Sequence, residues 1–347
     1  MVAGKEVFAV TEPDRMLPQR RALQAFKNAH PGMDVGMSMV LGQPGYYAKD
    51  RDGHTFEAGT VEGLQAQVDG PLRESGDAST PSIARVYDYW LGGKTSFASD
   101  RALATAIERV HPATPGLARA NRGFLRRAVR WVAGQGISQF IDAGAGLPTL
   151  PAVHHMAREV VPGARVAYAD NDMLVVRHWQ AQYTTHDPGL AVAAGNLRYP
   201  AALLGEPALT AVIDLDRPVC VVLALVLQFQ AATAARKIAA RFIRAAAPGS
   251  YVIISVLTGD PRLGAQITAA YTAATIHNHS LGTIAGFFDG TQVQRPGVVD
   301  VRAWMANGPL GPAAAEYRRE AAVAGGVGWK PVRHDPPASA PSVAGQG

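Results

Sequence analysis

Phe140-Ile141-Asp142-Ala143-Gly144-Ala145-Gly146-Leu147-Pro148-Thr149 is an apolar run that ends in an acid and two closely spaced glycines. A buried strand running into Gly-x-Gly and then a helix start lets backbone approach a nucleotide-like ligand, because glycine has no Cβ to collide with it. A dinucleotide fingerprint needs a third glycine three positions beyond Gly146, and Thr149 stands there. On its own, then, the stretch fits a bare glycine turn as well as a ligand cradle.

Downstream, strands and helices alternate. Arg165 to Ala169 reads as a second strand ending at Asp170-Asn171-Asp172, Leu190 to Ala194 as a third before Gly195-Asn196-Leu197, Val219 to Leu227 as a fourth, and Tyr251 to Val256 as a fifth. Helices are expected over Pro151 to Val160, Met173 to Gln182 and Ala231 to Ala246. Short apolar runs separated by helices indicate an α/β fold with a mostly parallel sheet covered on both faces. Such a fold places Asp142, Ala143, Gly144, Ala145 and Gly146 on the same sheet edge as Asp170, Asn171, Asn196 and Leu197, where ligands bind. Asp170 lies 28 positions after Asp142, about one strand-helix-strand unit, and is placed to receive a ribose diol. Asn196 offers an amide to an adenine edge, and Leu197 a cover for its face.

Before the glycine stretch, Pro115 to Gly134 contains the helical stripe Leu117, Ala120, Phe124, Leu125, Ala128, Val129 and Val132, opposite a face of arginines. An arginine-rich face is usually solvated, but Arg119, Asn121 and Arg122 lie close enough to the preceding loop to reach a substrate or anion. Ser82 to Lys94 holds Tyr87, Tyr89 and Trp90 ahead of Gly92-Gly93-Lys94. It reads either as a lid that stacks on a flat ligand or as an aromatic core helix capped by Gly92.

Residues 1–74 read as a small α+β appendage, 75–81 as a polar linker, 82–331 as the main domain and 332–347 as a disordered tail. In the appendage, Arg20 to Ala29 suggests a helix. Tyr46 to Lys49 and His54 to Ala58 suggest a hairpin turning at Asp50 to Gly53, and Thr60 could cap a helix holding Val61, Leu64 and Val68.

Composition sets outer limits. With 347 residues and 48% hydrophobic content the chain can bury a large core. A net charge of +5 is too mild to imply a nucleic-acid partner. The lone Cys220 excludes a disulfide framework and fits a cytoplasmic setting. The beginning of the sequence argues against a secretory leader, and the longest apolar run is too short to span a membrane. His154-His155 and His277-x-His279 show no third ligand, so no metal site is expected.

Taken together, Ala84-Arg85-Val86-Tyr87-Asp88-Tyr89 with Leu91-Gly92-Gly93-Lys94, Ala118 to Arg122, Asp142-x-Gly-x-Gly-Leu147-Pro148-Thr149, Val153-His154 and Tyr168-x-Asp170-Asn171-Asp172 resemble a family of S-adenosylmethionine-dependent methyltransferases once known only as a domain of unknown function. Ala247 to Tyr251, Phe287 to Gly290, Pro296 to Val299 and Gly326 to Pro331 agree. The resemblance implies a class I, Rossmann-like methyltransferase fold, a seven-stranded sheet whose last strand is antiparallel, and S-adenosylmethionine as cofactor; the acceptor is expected to be a small molecule of unassigned identity. The sequence departs from the family at Asn196, where relatives usually carry Asp, and at Gln228-Phe229-Gln230, where they tend to show His. A histidine there would be a natural general base, whereas Gln does not titrate. Tyr87, Tyr89, Lys94 and Gln228 are therefore the acceptor-side candidates. The departures keep two alternatives open: an enzyme using the same cofactor for lyase or ring-forming chemistry, and a regulatory protein that holds it without turnover.

Overall fold

The structure, a computed structural model, describes residues 21–28, 30, 32–40, 43–49, 55–58, 64, 76–184, 187–305 and 322–332. In the N-terminal unit a helix over 21–28 (α1) precedes an antiparallel sheet of β1 (Asp34–Val40), β2 (Gln43–Lys49) and β3 (Thr55–Ala58), in that order. Leu23, Phe26, Val35, Tyr46, Ala48 and Leu64 form its own small core. β2 and β3 are the expected hairpin arms, and β1 is a third strand that the sequence reading did not anticipate. The hairpin turn, most of the helix expected from Thr60, and the tail from 333 lie outside the described residues.

The main unit begins with α2 (Ile83–Trp90), α3 (Ala98–Val110) and α4 (Thr114–Gly134). The glycine pair ends α2: Gly92 has φ +87°, and the Gly93 amide closes on the Asp88 carbonyl at 2.8 Å. A Cβ on Gly93 would fall 2.0 Å from the Asp88 carboxylate, so the turn requires glycine there. Then follow β4 (Gln139–Ala143), α5 (Val153–Arg158), β5 (Arg165–Asp170), α6 (Met173–Trp179) running into a π-helical turn at Gln180–Thr184, and β6 (Leu190–Ala194). The chain continues through α7 (Pro200–Leu204), α8 (Pro207–Thr210), β7 (Cys220–Ala224), α9 (Ala232–Ala245) and β8 (Tyr251–Thr258). Last come α10 (Pro261–Ala270), α11 (Leu281–Ala285), β9 (Gln292–Val293), β10 (Val299–Asp300) and β11 (Ala322–Trp329).

Across the sheet the order is β10-β11-β8-β7-β4-β5-β6, with β9 beside the end of β11. β6, β5, β4, β7 and β8 are parallel, while β11 is antiparallel to β8, as expected of the last strand. The strand count is eight rather than the expected seven, because two short outer segments, β9 and β10, both pair with β11. The chain leaves β4 toward β6 on one side and returns to β7 on the other, which makes the edge beside β4 a topological switch point.

Alternation along β4 sorts its side chains between two cores: Phe140 joins the layer under α4 with Phe124, Leu125 and Val132, and Ile141 and Ala143 join the layer under α9 with Ile238 and Phe242. The fourth strand is shorter than its apolar run. Leu225 adopts φ +54° and Leu227–Phe229 coils into a 3₁₀ turn, so the chain leaves the sheet at Ala224. Among the described residues no helix is long and apolar enough to cross a membrane.

Candidate functional site

A cavity of about 870 Å³ lies along the carboxyl edge of the parallel strands. At its centre is the turn after β4. The Gly144 and Ala145 amides donate to the Ala169 carbonyl at 2.7 and 3.1 Å, binding the turn to the neighbouring strand. Gly144 has φ +81° and lies against Val226, whose Cγ1 would be 2.4 Å from an added Cβ. Gly146, at φ +62°, lines the cavity, and apart from its chain neighbours no atom of the described residues lies within 4 Å of where a Cβ would stand.

Two side chains from β5 and α6 hold Gly146 from opposite directions. Asp170 Oδ2 accepts its amide hydrogen at 3.0 Å, and Trp179 donates its indole N–H to its carbonyl at 2.7 Å while stacking on Tyr168 at 3.8 Å between centroids. Asp170 Oδ1 accepts the Asp172 amide hydrogen at 2.9 Å. Burial pushes the Asp170 carboxyl up to about 6, against the pull of these backbone donors. Asp142 is 6% exposed, and burial raises it to about 7; the Asp170 charge adds to the rise and the Arg122 guanidinium opposes it. Arg122 itself donates to the Thr149 and Pro151 carbonyls at 3.0 and 2.6 Å, bracing the segment that leaves the glycine turn.

Asn196 and Leu197 line the cavity beyond β6; Asn196 Oδ1 accepts the Arg198 amide hydrogen at 3.0 Å, which leaves the side-chain NH₂ as its outward group. Asp172 caps α6 through the Leu174 amide and also receives the Ser82 hydroxyl at 3.4 Å, so the start of α2 is hooked to the end of β5.

The opposite wall is built by Ile83, Ala84, Tyr87 and Trp90 of α2, by Leu117, Asn121 and Leu125 of α4, and by residues 273–276 after α10. Tyr87 donates to the Ala118 carbonyl at 3.3 Å and accepts from Asn121 Nδ2 at 3.1 Å, and Ser255 donates to Asn121 Oδ1 at 2.7 Å. Burial raises the Tyr87 phenol above its ordinary value. Gln228 is buried in the same wall with its NH₂ group on the Leu225 carbonyl at 2.7 Å; among the described residues its Oε1 has no hydrogen-bond partner.

Of the expected site residues, Asp142, Gly144, Ala145, Gly146, Asp170, Asn171, Asn196, Leu197, Tyr87, Asn121, Arg122 and Gln228 line this one cavity. Four fall outside it. Ala143 points into the opposite core, Arg119 and Lys94 are exposed, and Tyr89 packs against the core beside Val86. His154 is buried, its Nδ1 lies 2.7 Å from the Tyr168 hydroxyl, and burial lowers its pKa to about 4. Residues 273–276 line the cavity, and His277 and His279 after them do not. Among the described residues no cluster of three or more His, Cys, Asp or Glu side chains is placed to hold a metal ion. Asp172, which lines the cavity, and Trp179, which holds the glycine turn, were not among the site residues expected from the sequence.

The profile of the S-adenosyl methyltransferase family matches residues 70–331. The chain is 32% identical to a candidate methyltransferase of Thermobifida fusca whose structure is known, over 74% of this chain and 97% of that one, with a TM-score of 0.67. It is also 32% identical to a DUF574-family protein of Streptomyces avermitilis, over 74% of this chain and 99% of that one, with a TM-score of 0.66. A search of curated proteins finds no match. With a parallel sheet that reverses at β4, a glycine turn open to the cavity and a family profile covering three quarters of its length, this chain belongs to the S-adenosyl methyltransferase family and is a methyltransferase that uses S-adenosylmethionine.

Proposed function

We propose that the enzyme transfers a methyl group, by in-line displacement, to a small molecule held beside the cofactor in this cavity. The observation that carries the reading is the division of one cavity into two parts. Over β6, β5 and β4 its wall bears Asn196, Asp170, Asp172, Asp142 and Arg122; over β7, β8 and β11 it bears Leu225, Phe229, Leu257 and Val323.

The polar part fits S-adenosylmethionine. Asp170 keeps lone pairs for a ribose diol after accepting one backbone hydrogen on each oxygen. Asn196 and Leu197 would meet the edge and face of adenine. The open side of Gly146, with Asp142 lining the same cavity, suits the ammonium of the amino-acid end. When bound, the cofactor supplies a methyl carbon on a sulfonium, and the carbon–sulfur bonding pair departs with sulfur.

What is left to this chain is chiefly alignment and exclusion of water, which account for several kcal/mol of barrier lowering in well-oriented reactions. Tyr87 is engaged by Ala118 and Asn121 and is held protonated by burial, so it positions rather than accepts a proton. Gln228, standing where a base could have stood, contributes shape and not titration.

Incubation of the purified chain with S-adenosylmethionine and pooled small-molecule acceptors tests the reading. S-adenosylhomocysteine formed only with an acceptor supports it. Methylthioadenosine formed without one would assign lyase or ring-forming chemistry instead, and binding with neither product would leave a regulatory holder of the cofactor.

A further inference from the structure

The acceptor half of the cavity is more specific than "small molecule". Resting on the cofactor placement above, we propose that this half takes an uncharged, flat aromatic molecule whose nucleophile is a nitrogen carrying its own lone pair at neutral pH. Three observations converge on that chemistry.

The first is where charge stops. Among the described residues, six charged side chains line the cavity: Asp77, Arg122, Asp142, Asp170, Asp172 and Arg198. Asp142, Asp170, Asp172 and Arg198 stand on or just after β4, β5 and β6. Arg122 is bonded to the turn after β4, and Asp77 precedes α2, whose start is hooked to Asp172. Over β7, β8 and β11, none of the described lining residues is charged. An ionised acceptor would be desolvated there without a partner, a penalty of several kcal/mol.

The second is the form of the walls. Trp90, Phe229 and Tyr271 line that half, with the Trp90 indole fixed by Glu108 at 2.9 Å and the Phe229 and Tyr271 rings 6.2 Å apart. Ile107, Leu117, Ile267, Ile276 and Val323 fill the spaces between them. Neighbouring strands are about 4.8 Å apart, so β7 to β11 spans roughly 10 Å, the breadth of a fused-ring system. Aromatic faces bind flat apolar rings at little conformational cost.

The third is the missing base. The titratable groups facing that half are the phenols of Tyr87 and Tyr271, ordinarily protonated at neutral pH, and the Tyr87 hydroxyl already donates to Ala118. His277 and His279 do not line it. An alcohol or ordinary phenol would need a proton removed before attack, and nothing there removes it. An aryl amine needs no such help. Its lone pair makes the new N–C bond, the C–S pair stays on sulfur, and the proton shed by the alkylated nitrogen goes to water.

The test uses one bicyclic scaffold in three charge states, titrated by calorimetry into full-length protein saturated with S-adenosylhomocysteine at neutral pH. The probes are 1-naphthylamine, which is neutral, 1-naphthoate, an anion, and 1-naphthylmethylamine, a cation. The neutral amine is expected to bind at least about tenfold more tightly than either ion. Trp90→Ala should weaken that binding about tenfold while S-adenosylhomocysteine affinity stays unchanged. Ala274→Asp, on the loop over the apolar half, should instead shift preference toward the cation. Equal or tighter binding of either ion to the parent protein, no binding of 1-naphthylamine, or an Ala274→Asp variant that keeps the parent's preference overturns the proposal. Failure of S-adenosylhomocysteine itself to bind would overturn the cofactor placement instead.

Discussion

The Asp170 carboxylate accepts the Gly146 amide hydrogen at 3.0 Å, so the acid at the end of β5 holds in place the glycine turn at the end of β4. A residue read as a ribose ligand is thereby also a structural clamp. Asp170→Ala should weaken S-adenosylhomocysteine binding by roughly 1.5–3 kcal/mol through lost ribose contacts and a slackened turn. Asp170→Asn, which retains one acceptor oxygen, should lose less. Calorimetric titration of both variants checks this, and an unchanged affinity in Asp170→Ala would remove Asp170 from the cofactor site.

Trp179→Phe keeps a ring against Tyr168 and deletes only the 2.7 Å hydrogen bond to the Gly146 carbonyl. The expected loss of stability is about 1 kcal/mol. Cofactor affinity should fall several-fold alongside it. Urea unfolding and cofactor titration of the same preparation separate the two effects, and a variant with normal affinity would show that the turn needs only Asp170.

Through Asp142 and Asp170, stability and cofactor binding make opposite demands on pH. Each has a folded pKa raised above the ordinary carboxyl value of 3.8, to about 7 and about 6. For such groups the stability contribution is fully present below the unfolded pKa and is lost as pH rises through the folded one. Stability should therefore decline between about pH 4 and pH 7, and Asp142→Asn should flatten that decline, gaining about 1–3 kcal/mol at pH 8 and little at pH 4. On the proposed placement the cationic cofactor meets both carboxylates in their ionised form, so affinity should hold above pH 7 and fall by up to about tenfold per unit below it. Denaturant titrations and calorimetry across this range give both curves.

Arg85 and Asp100 form an ion pair with both side chains fully buried, its Nε–Oδ2 distance 2.7 Å. Asp100 also accepts the Ser82 and Phe97 amide hydrogens, and Arg85 donates to the Thr80 carbonyl, so the pair fixes the chain on either side of α2. Arg85→Met leaves a buried carboxylate uncompensated and should destabilise the fold by about 3–5 kcal/mol. Equilibrium unfolding measures this; a loss below about 1 kcal/mol would mean that backbone donors alone satisfy Asp100.

The parallel strands and the glycine turn were legible because burial on both faces writes continuous apolar runs, and a strand end open to a ligand writes glycine. The acids at the ends of β4 and β5 follow from the same register. What escaped depends on direction rather than type. Tyr87 and Tyr89 are two positions apart on a helix and so point about 200° apart, and only Tyr87 reaches the cavity. Arg122 turns back to carbonyls after the glycine loop, contacts no local pattern encodes. β9 and β10 are two residues each and exist only because β11 offers them an edge. His154 lies in a helix, and its burial is decided by Tyr168 of the next strand.

The lateral order β5-β4-β7-β8 has a metrical consequence. On the proposed placement, ribose acid, glycine turn and acceptor wall each belong to a successive strand, so the sheet acts as a ruler graduated in steps of about 4.8 Å. Loops above the edge can lengthen or change composition without moving those graduations. A lineage could thus exchange one acceptor for another by rewriting α2 and residues 273–276 while the reach from cofactor to acceptor stays set by hydrogen bonds between strands.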